Sequence, residues 1–279
     1  MKFVLAIDGG GSGCRAALAD GSGRVLARAE GGPANIASDG VGAVRNLLAV
    51  SRDVLQGVDA ADVHVVMGLA GANVADSVAA VQTGFALPFA SVRVETDARI
   101  AVVGALGRMD GIVVVLGTGS VFSCQRSGRM RQVGGHGLTL GDEAGGAWLG
   151  RGLLSAAARA ADGMGAMTPM LAAVLEEVGG LEGVIAFSLT ARPADFARFA
   201  PRLIGSDDPA AVALLARAEE YISASVLVLQ AGEALPVVFL GSLGLALAHR
   251  FAGRWLVRPA LGSGLDGALL LGLQDLAAR

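Results

Sequence analysis

The chain has 279 residues, enough for one large domain or two of ordinary size, and its 53% apolar and 17% charged composition excludes disorder. A net charge of −3 with no run of Lys or Arg argues against a nucleic-acid surface, and one Tyr and two Trp offer little for base stacking. Every apolar run is broken by Gly or charge before the roughly 20 residues that span a bilayer, so no membrane partner is expected.

Met1-Lys-Phe leads straight into a strand, so no signal peptide is expected. Residues 3–29 read as three strands joined by tight turns at Asp8–Gly13 and Asp20–Gly23. Ser38-Asp39 precedes apolar residues at helical spacing from Val41 to Leu55, with a plausible N-cap. Val63–Leu69 is a strand, Asn73–Thr83 a helix, Val92–Glu95 a strand that stops at Thr96-Asp97, and Ala98–Leu106 a helix. The order β-β-β-α-β-α-β-α is an α/β pattern, antiparallel first and joined by crossovers later.

After Gly111 the opening unit begins again. Ile112-Val-Val-Val-Leu-Gly117-Thr-Gly-Ser120 repeats Phe3-Val-Leu-Ala-Ile-Asp8-Gly-Gly-Gly-Ser12, with Gly9, Gly11 and Ser12 matching Gly117, Gly119 and Ser120 at an offset of 108. A glycine turn between strands exposes backbone N–H groups with no side chain in the way, which suits phosphate. Two such turns suggest two related halves gripping one polyphosphate. Met130–Val133 completes the repeated meander, and a Gly-rich passage from Gly134 to Gly146 leads into a helix at Ala147–Ala161. Residues 167–235 carry almost only helical signals, Ala210–Gln230 among them. Pro236–Leu240 is a strand followed by Gly241-Ser242 and a helix, and Leu265–Leu276 is the last helix. The expected domains are 1–107 and 108–279, with a helical insert over about 151–235 and a hinge near 106–111. Cys14 and Cys124, far apart and inside strand-like runs, read as buried thiols of a reducing, cytoplasmic compartment. His64, His136 and His249 show no zinc spacing with them, and no P-loop motif is present.

Six segments, in order, resemble the actin/sugar-kinase/heat-shock ATPase superfamily, whose core is ribonuclease H-like. They are Asp8–Ser12, Gly68-Leu-Ala-Gly71, Thr96-Asp97-Ala98, Gly117–Ser120, Gly134-Gly-His-Gly137 with Leu140-Gly-Asp142-Glu143, and Pro259-Ala-Leu-Gly262. Within that superfamily the chain resembles the BadF/BadG/BcrA/BcrD-type ATPases, in the branch that holds N-acetylglucosamine kinase and glucosamine kinase. The resemblance implies a duplicated β-β-β-α-β-α core, ATP with Mg²⁺, and transfer of the γ-phosphoryl group to an amino sugar at O6. It implies that Asp8 holds Mg²⁺ through water, and that Gly10, Gly11, Ser12, Gly117, Thr118, Gly119 and Ser120 bind the phosphates. Gly241 and Ser242 would meet adenosine, with Gly262 nearby. Asp97 would be the catalytic base, against the plainer reading of Thr96-Asp97 as a helix cap. Asn35, Gly71, Asp97, His136 and Asp142 would bind the sugar. His136 stands where the family commonly has Trp, and Ala70 where relatives often carry Ser. The resemblance leaves open an ATPase that activates a redox partner and a sugar-sensing protein without catalysis. The apolar helical insert offers a homodimer surface.

Overall fold

The computed structural model describes residues 2–278, which divide into two compact units: residues up to Met109 together with those from Ala260 onward, and Asp110–Pro259.

The first unit begins with β1 (Phe3–Gly9), β2 (Cys14–Asp20) and β3 (Val25–Gly31), then α1 (Gly40–Leu55), β4 (Val63–Leu69), α2 (Ala75–Gly84), β5 (Ser91–Thr96) and α3 (Asp97–Leu106). The second holds β6 (Gly111–Leu116), β7 (Ser120–Arg126), β8 (Arg129–Gly134), α4 (Gly146–Ala161), α5 (Pro169–Val178), α6 (Gly180–Thr190), α7 (Pro193–Ala197), α8 (Pro209–Gln230), β9 (Val237–Leu240), α9 (Ser242–Leu247) and β10 (Val257–Arg258). The last helix, α10 (Gly264–Ala277), returns to the first unit.

Among the described residues each unit has one five-stranded sheet, ordered β3-β2-β1-β4-β5 and β8-β7-β6-β9-β10. In both, the three consecutive strands pair antiparallel and the later strands join in parallel. The duplication expected from the repeated turn is therefore a duplication of topology. Strand β10, two residues long, had no signal in the sequence.

Both faces of the first sheet are covered. Alternate residues of β1 divide between them: Leu5 and Ile7 pack with Leu47, Val50 and Val54 of α1, and Ala6 packs with Ile100 of α3 and Leu271 of α10. Strand β4 is buried along its whole length, which is why Val63–Leu69 reads as a continuous apolar run. In the second unit Ile112, Val114 and Leu116 of β6 enter a core with Leu149 and Leu153 of α4 and Ile222 and Val226 of α8.

The division corrects the expected domain limits. The expected second domain runs over 108–279, whereas α10 packs on α3, β1 and β4. Two glycines make this possible. A Cβ on Gly104 would stand 1.9 Å from the Ser263 carbonyl oxygen, and one on Gly267 would stand 1.9 Å from that of Ile100. The backbones of α3 and α10 touch, which no residue larger than glycine allows.

Candidate nucleotide and sugar sites

Both glycine turns sit at the ends of central strands. In the first, the last β1–β2 pair is Gly9 with Cys14, so the turn holds Gly10–Gly13 and Gly10 N–H donates to the Gly13 carbonyl at 2.9 Å. In the second, Leu116 pairs with Ser120, so the turn holds only Gly117–Gly119, closed by Gly117 N–H to the Gly119 carbonyl at 3.0 Å. The offset that equates Ser12 with Ser120 is therefore a likeness of letters. Ser12 lies in its turn and is exposed, whereas Ser120 opens β7 and is buried. The backbone N–H groups of Gly11 and Ser12, and of Thr118 and Gly119, donate to no protein group among the described residues. In each unit, two outward donors at a strand end are the chemistry an anion needs.

Asp8 is the next-to-last residue of β1, on the face shared with Ala6. Arg15 lies opposite it in the ladder, and its Nη2 donates to Asp8 Oδ2 at 2.6 Å. Asp8, Gly10, Ser12, Gly13, Arg15 and Glu30 line a cavity of about 370 Å³. Arg15 escaped the sequence reading; the available signal was its place in β2, seven residues beyond Asp8 across a four-residue turn. No group of three or more His, Cys, Asp or Glu among the described residues forms a metal cage. A largely buried carboxylate held by Arg15 and set beside the open N–H groups of Gly11 and Ser12 still fits Mg²⁺, an ion that keeps several waters and commonly takes further ligands from phosphates.

Asp97 is the first residue of α3, but Thr96 is the cap: its Oγ1 accepts the Arg99 N–H at 3.1 Å. The carboxylate of Asp97 is left with the neighbouring Ala98 N–H at 2.8 Å and stays solvent-accessible. Crowding by surrounding protein pushes its pKa above the ordinary carboxylate value, the Ala98 N–H opposes this, and the charge of Asp8 pushes it further up. Below it Gly68, opposite Asp8 in the β1–β4 ladder, admits Ile100, which would stand 2.4 Å from a Cβ there.

Asn35 and Gly71 are brought together. Asn35 Oδ1 accepts the Ala37 and Ser38 N–H groups at 3.0 and 3.1 Å, the turn role weighed for it from sequence. Its Nδ2 has no protein partner among the described residues. Gly71 has φ +88°, and a Cβ there would meet the Ala37 backbone nitrogen at 2.7 Å. The Ile36 N–H donates to the carbonyl of Ala70 at 3.0 Å.

In the second unit Asp142 closes on the Gly117–Gly119 turn. Its carboxylate accepts the Gly137 N–H at 3.1 Å and the Ser120 N–H, and a Cβ on Gly119 would lie 2.4 Å from its Oδ2. Burial, with the charge of Glu143, raises the Asp142 pKa, while those two N–H groups and nearby His136 lower it. Asp142 and Ala144 adopt left-handed φ of 58° and 66°, a strained pair of non-glycine residues of the kind found at functional sites. The first N–H groups of α4 donate to the Gly117 and Thr118 carbonyls, both at 2.8 Å, which fixes that turn against the helix.

Gly241 has φ +80° and would place a Cβ 2.2 Å from the Leu116 carbonyl oxygen, so the Gly241-Ser242 turn packs directly on the start of the Gly117–Gly119 turn. Between them opens a cavity of about 460 Å³, lined by Thr118, Ser242 and Leu243, and by Ala197, Ala200 and Ile204. Of these residues the sequence singles out Thr118 and Ser242; Leu243, Ala197, Ala200 and Ile204 carry no signal in it. Gly262 belongs to the first unit, against Asp266.

A β-meander closed by a glycine turn, followed by parallel strands and repeated once with a second Gly-Ser turn, defines a duplicated actin-like nucleotide-binding protein. The chain belongs to the BadF/BadG/BcrA/BcrD ATPase family, whose model matches residues 5–253. It is 29% identical over 282 residues to the glucosamine kinase GspK of Vibrio cholerae, covering 97% of this chain and 95% of that one. A solved structure described as a candidate N-acetylglucosamine kinase from Chromobacterium violaceum superposes with a TM-score of 0.86 at 33% identity, covering 97% and 99% of the two chains. A glucokinase of the ROK family from Streptomyces griseus shares the fold, with a TM-score of 0.53 at 19% identity and 98% coverage of each chain.

Proposed function

We propose that the protein is an ATP-dependent kinase whose acceptor is an amino sugar, glucosamine or N-acetylglucosamine, phosphorylated at O6. Family membership supports ATP as the donor, and the names of the two relatives near 30% identity support the acceptor class. The observation that carries the reading is the freedom of Asp97. With Thr96 capping α3, the Asp97 carboxylate is surplus to the helix, accessible and raised in pKa, as a proton acceptor for a sugar hydroxyl should be.

In this reading Asp97 orients the acceptor hydroxyl and takes its proton while the sugar oxygen bonds to the γ-phosphorus. The bond from that phosphorus to the β–γ bridging oxygen breaks, and ADP leaves. The open N–H groups of each turn, Gly11 and Ser12 in one and Thr118 and Gly119 in the other, are the donors for phosphate oxygens and stabilise charge that grows on them, while Gly10 and Gly117 shape their turns by closing them and Ser120 anchors the end of the second. Asp8 would hold Mg²⁺ through water; when bound, the ion neutralises phosphate charge. Gly241 and Ser242 meet the adenosine. Asn35, Gly71, His136 and Asp142 serve the sugar site, with the Asn35 amide nitrogen as the donor its turn leaves unused.

The two cysteines, each buried and unpaired, suit a reducing cytosol. No helix among the described residues is long and apolar enough to cross a membrane. Purified protein with Mg-ATP and a panel of glucosamine, N-acetylglucosamine, N-acetylmuramate and glucose tests the reading by ADP release. Amino sugars should stimulate release well above the sugar-free rate. A flat panel would return the choice to a partner-activating ATPase or a sugar sensor.

A further inference from the structure

Taking the kinase reading as its basis, we infer that the base-binding cavity of the second unit holds any purine, so that GTP serves as phosphoryl donor alongside ATP. The cavity beside the Gly117–Gly119 turn has about 460 Å³, the size of a nucleoside site. Away from the turn its lining is Ala197, Ala200, Pro201 and Ile204 on one side and Leu243 and Ala246 on the other. The only side-chain hydroxyls are those of Thr118 and Ser242, both beside the phosphate turn. No carboxylate, guanidinium, amide or aromatic side chain lines it.

Adenine and guanine differ in the polar groups on their six-membered ring, at C2 and C6 and in the proton at N1. A protein separates such isosteres strongly only by presenting a donor or acceptor that one base satisfies and the other leaves unpaired. A wall of methyl and methylene groups offers the flat face of either base the same apolar contact. Pro201 is exposed, and Ala197, Ile204 and Ala246 are each only partly buried, so the edge of a bound base keeps its hydrogen bonds to water. Pyrimidines, one ring smaller, bury less apolar area and hold less well.

The test compares the Mg²⁺ salts of ATP, GTP, CTP and UTP in the amino-sugar assay, with calorimetric titration of ADP and GDP as a readout independent of turnover. The inference expects kcat/KM for GTP within about tenfold of that for ATP, both purines above both pyrimidines, and dissociation constants for GDP and ADP within the same tenfold. Ala246→Trp, which fills the cavity, should weaken ADP and GDP together by more than about tenfold. Strong turnover with ATP and a hundredfold or greater loss with GTP would overturn base tolerance and leave the kinase intact. Pyrimidines equal to purines, or an Ala246→Trp protein that binds ADP as well as the parent, would overturn the assignment of this cavity to the base. Absence of turnover and of diphosphate binding altogether would overturn both readings.

Discussion

Arg15 reaches across the β1–β2 ladder to Asp8, Nη2 to Oδ2 at 2.6 Å, and both line the cavity at the first glycine turn. The pair is not a stability device. The arginine side chain is 53% exposed, and ion pairs of that kind contribute about 0–1 kcal/mol. Its value lies in position: a guanidinium beside open N–H groups adds a fixed positive charge to the proposed phosphate cradle. Arg15→Gln should weaken ADP and ATP binding by about 10- to 100-fold, the worth of a charge-assisted hydrogen bond of about 1.5–3 kcal/mol. Adenosine, which lacks phosphate, should bind unchanged. Calorimetry with adenosine and ADP on both proteins separates the two, and equal losses for both ligands would sink the assignment.

Asp97→Asn should lower kcat by about 10²–10⁴ while ADP affinity stays the same. It should also raise Tm. The folded carboxyl has a raised pKa, so above the ordinary carboxylate value the fold holds a charge that the unfolded chain accommodates better, and stability falls as pH rises through the folded pKa. Removing the charge removes that penalty. The same shift sets the acid limb of kcat/KM at a pH above about 3.9, the value for a free aspartate, because the base must be ionised to accept a proton. A variant with unaltered turnover takes Asp97 out of the mechanism; one with lower Tm refutes the electrostatic account of the site.

The contrast between Asp97 and Asn35 shows how far sequence reasoning reached. Thr96-Asp97 before a helix supports two readings, a cap and a base; the structure gives the cap to Thr96 and leaves the Asp97 carboxylate with only the neighbouring Ala98 N–H. Asn35 kept both, its carbonyl oxygen in the turn and its amide nitrogen open. Strand order and both glycine turns were legible because apolar runs ending in glycine are strong signals of a strand and its turn. The different lengths of the turns were not, since register depends on which residues pair rather than on which letters repeat. Arg15 and the alanines of the cavity beside the Gly241-Ser242 turn were silent for another reason. A single charge in a strand, or an alanine in a helix, acquires chemical meaning only from what tertiary packing sets beside it.

Asp142 offers a test between two roles. Its carboxylate accepts the Ser120 and Gly137 N–H groups, so its loss should loosen the second phosphate turn as well as any sugar contact. Asp142→Ala should raise the KM for ATP by about tenfold, matching one lost charge-assisted bond, with Asp142→Asn recovering part of it through the retained carbonyl oxygen. A rise confined to the KM for the sugar would show that the turn stands without Asp142.

At the far end of the first sheet, His64 is 2% exposed and links Ser91 Oγ at 2.7 Å to Asp275 of α10 at 2.9 Å, and Arg93 donates to the same carboxylate at 2.9 and 3.1 Å. Burial alone would raise the Asp275 pKa, but the bonds from His64 and Arg93 outweigh it and hold the carboxyl below its ordinary value. A lowered folded pKa contributes stability that is present above about pH 3.9 and is lost as pH falls through the folded pKa. Asp275→Asn should therefore cost about 1–3 kcal/mol at pH 7, with the difference from the parent shrinking in strong acid. Urea unfolding at pH 7 and pH 3 reads both numbers, and a difference that does not vary with pH would place the effect in packing rather than charge.

Gly267 tests the contact that returns α10 to the first unit. In a solvated helix, Gly→Ala stabilises by up to about 1 kcal/mol because alanine restricts the unfolded chain and favours the helix. Here the added methyl would sit 1.9 Å from the Ile100 carbonyl oxygen and 2.5 Å from the Gly104 nitrogen, both backbone atoms of α3 that no rotamer change can move. The helices must separate, opening the layer that holds Ala6, Val66 and Leu271. Gly267→Ala should destabilise by about 1–3 kcal/mol, the usual cost of overpacking, and Gly267→Val by more. Gly40→Ala at the head of α1, where a Cβ would meet nothing within 4 Å, serves as the control and should be neutral or stabilising. Because α3 also carries Asp97 at its head, the Gly267 variants should lose activity in parallel with stability. Full activity in a stably folded Gly267→Val protein would show that the α3–α10 contact does not position the proposed base.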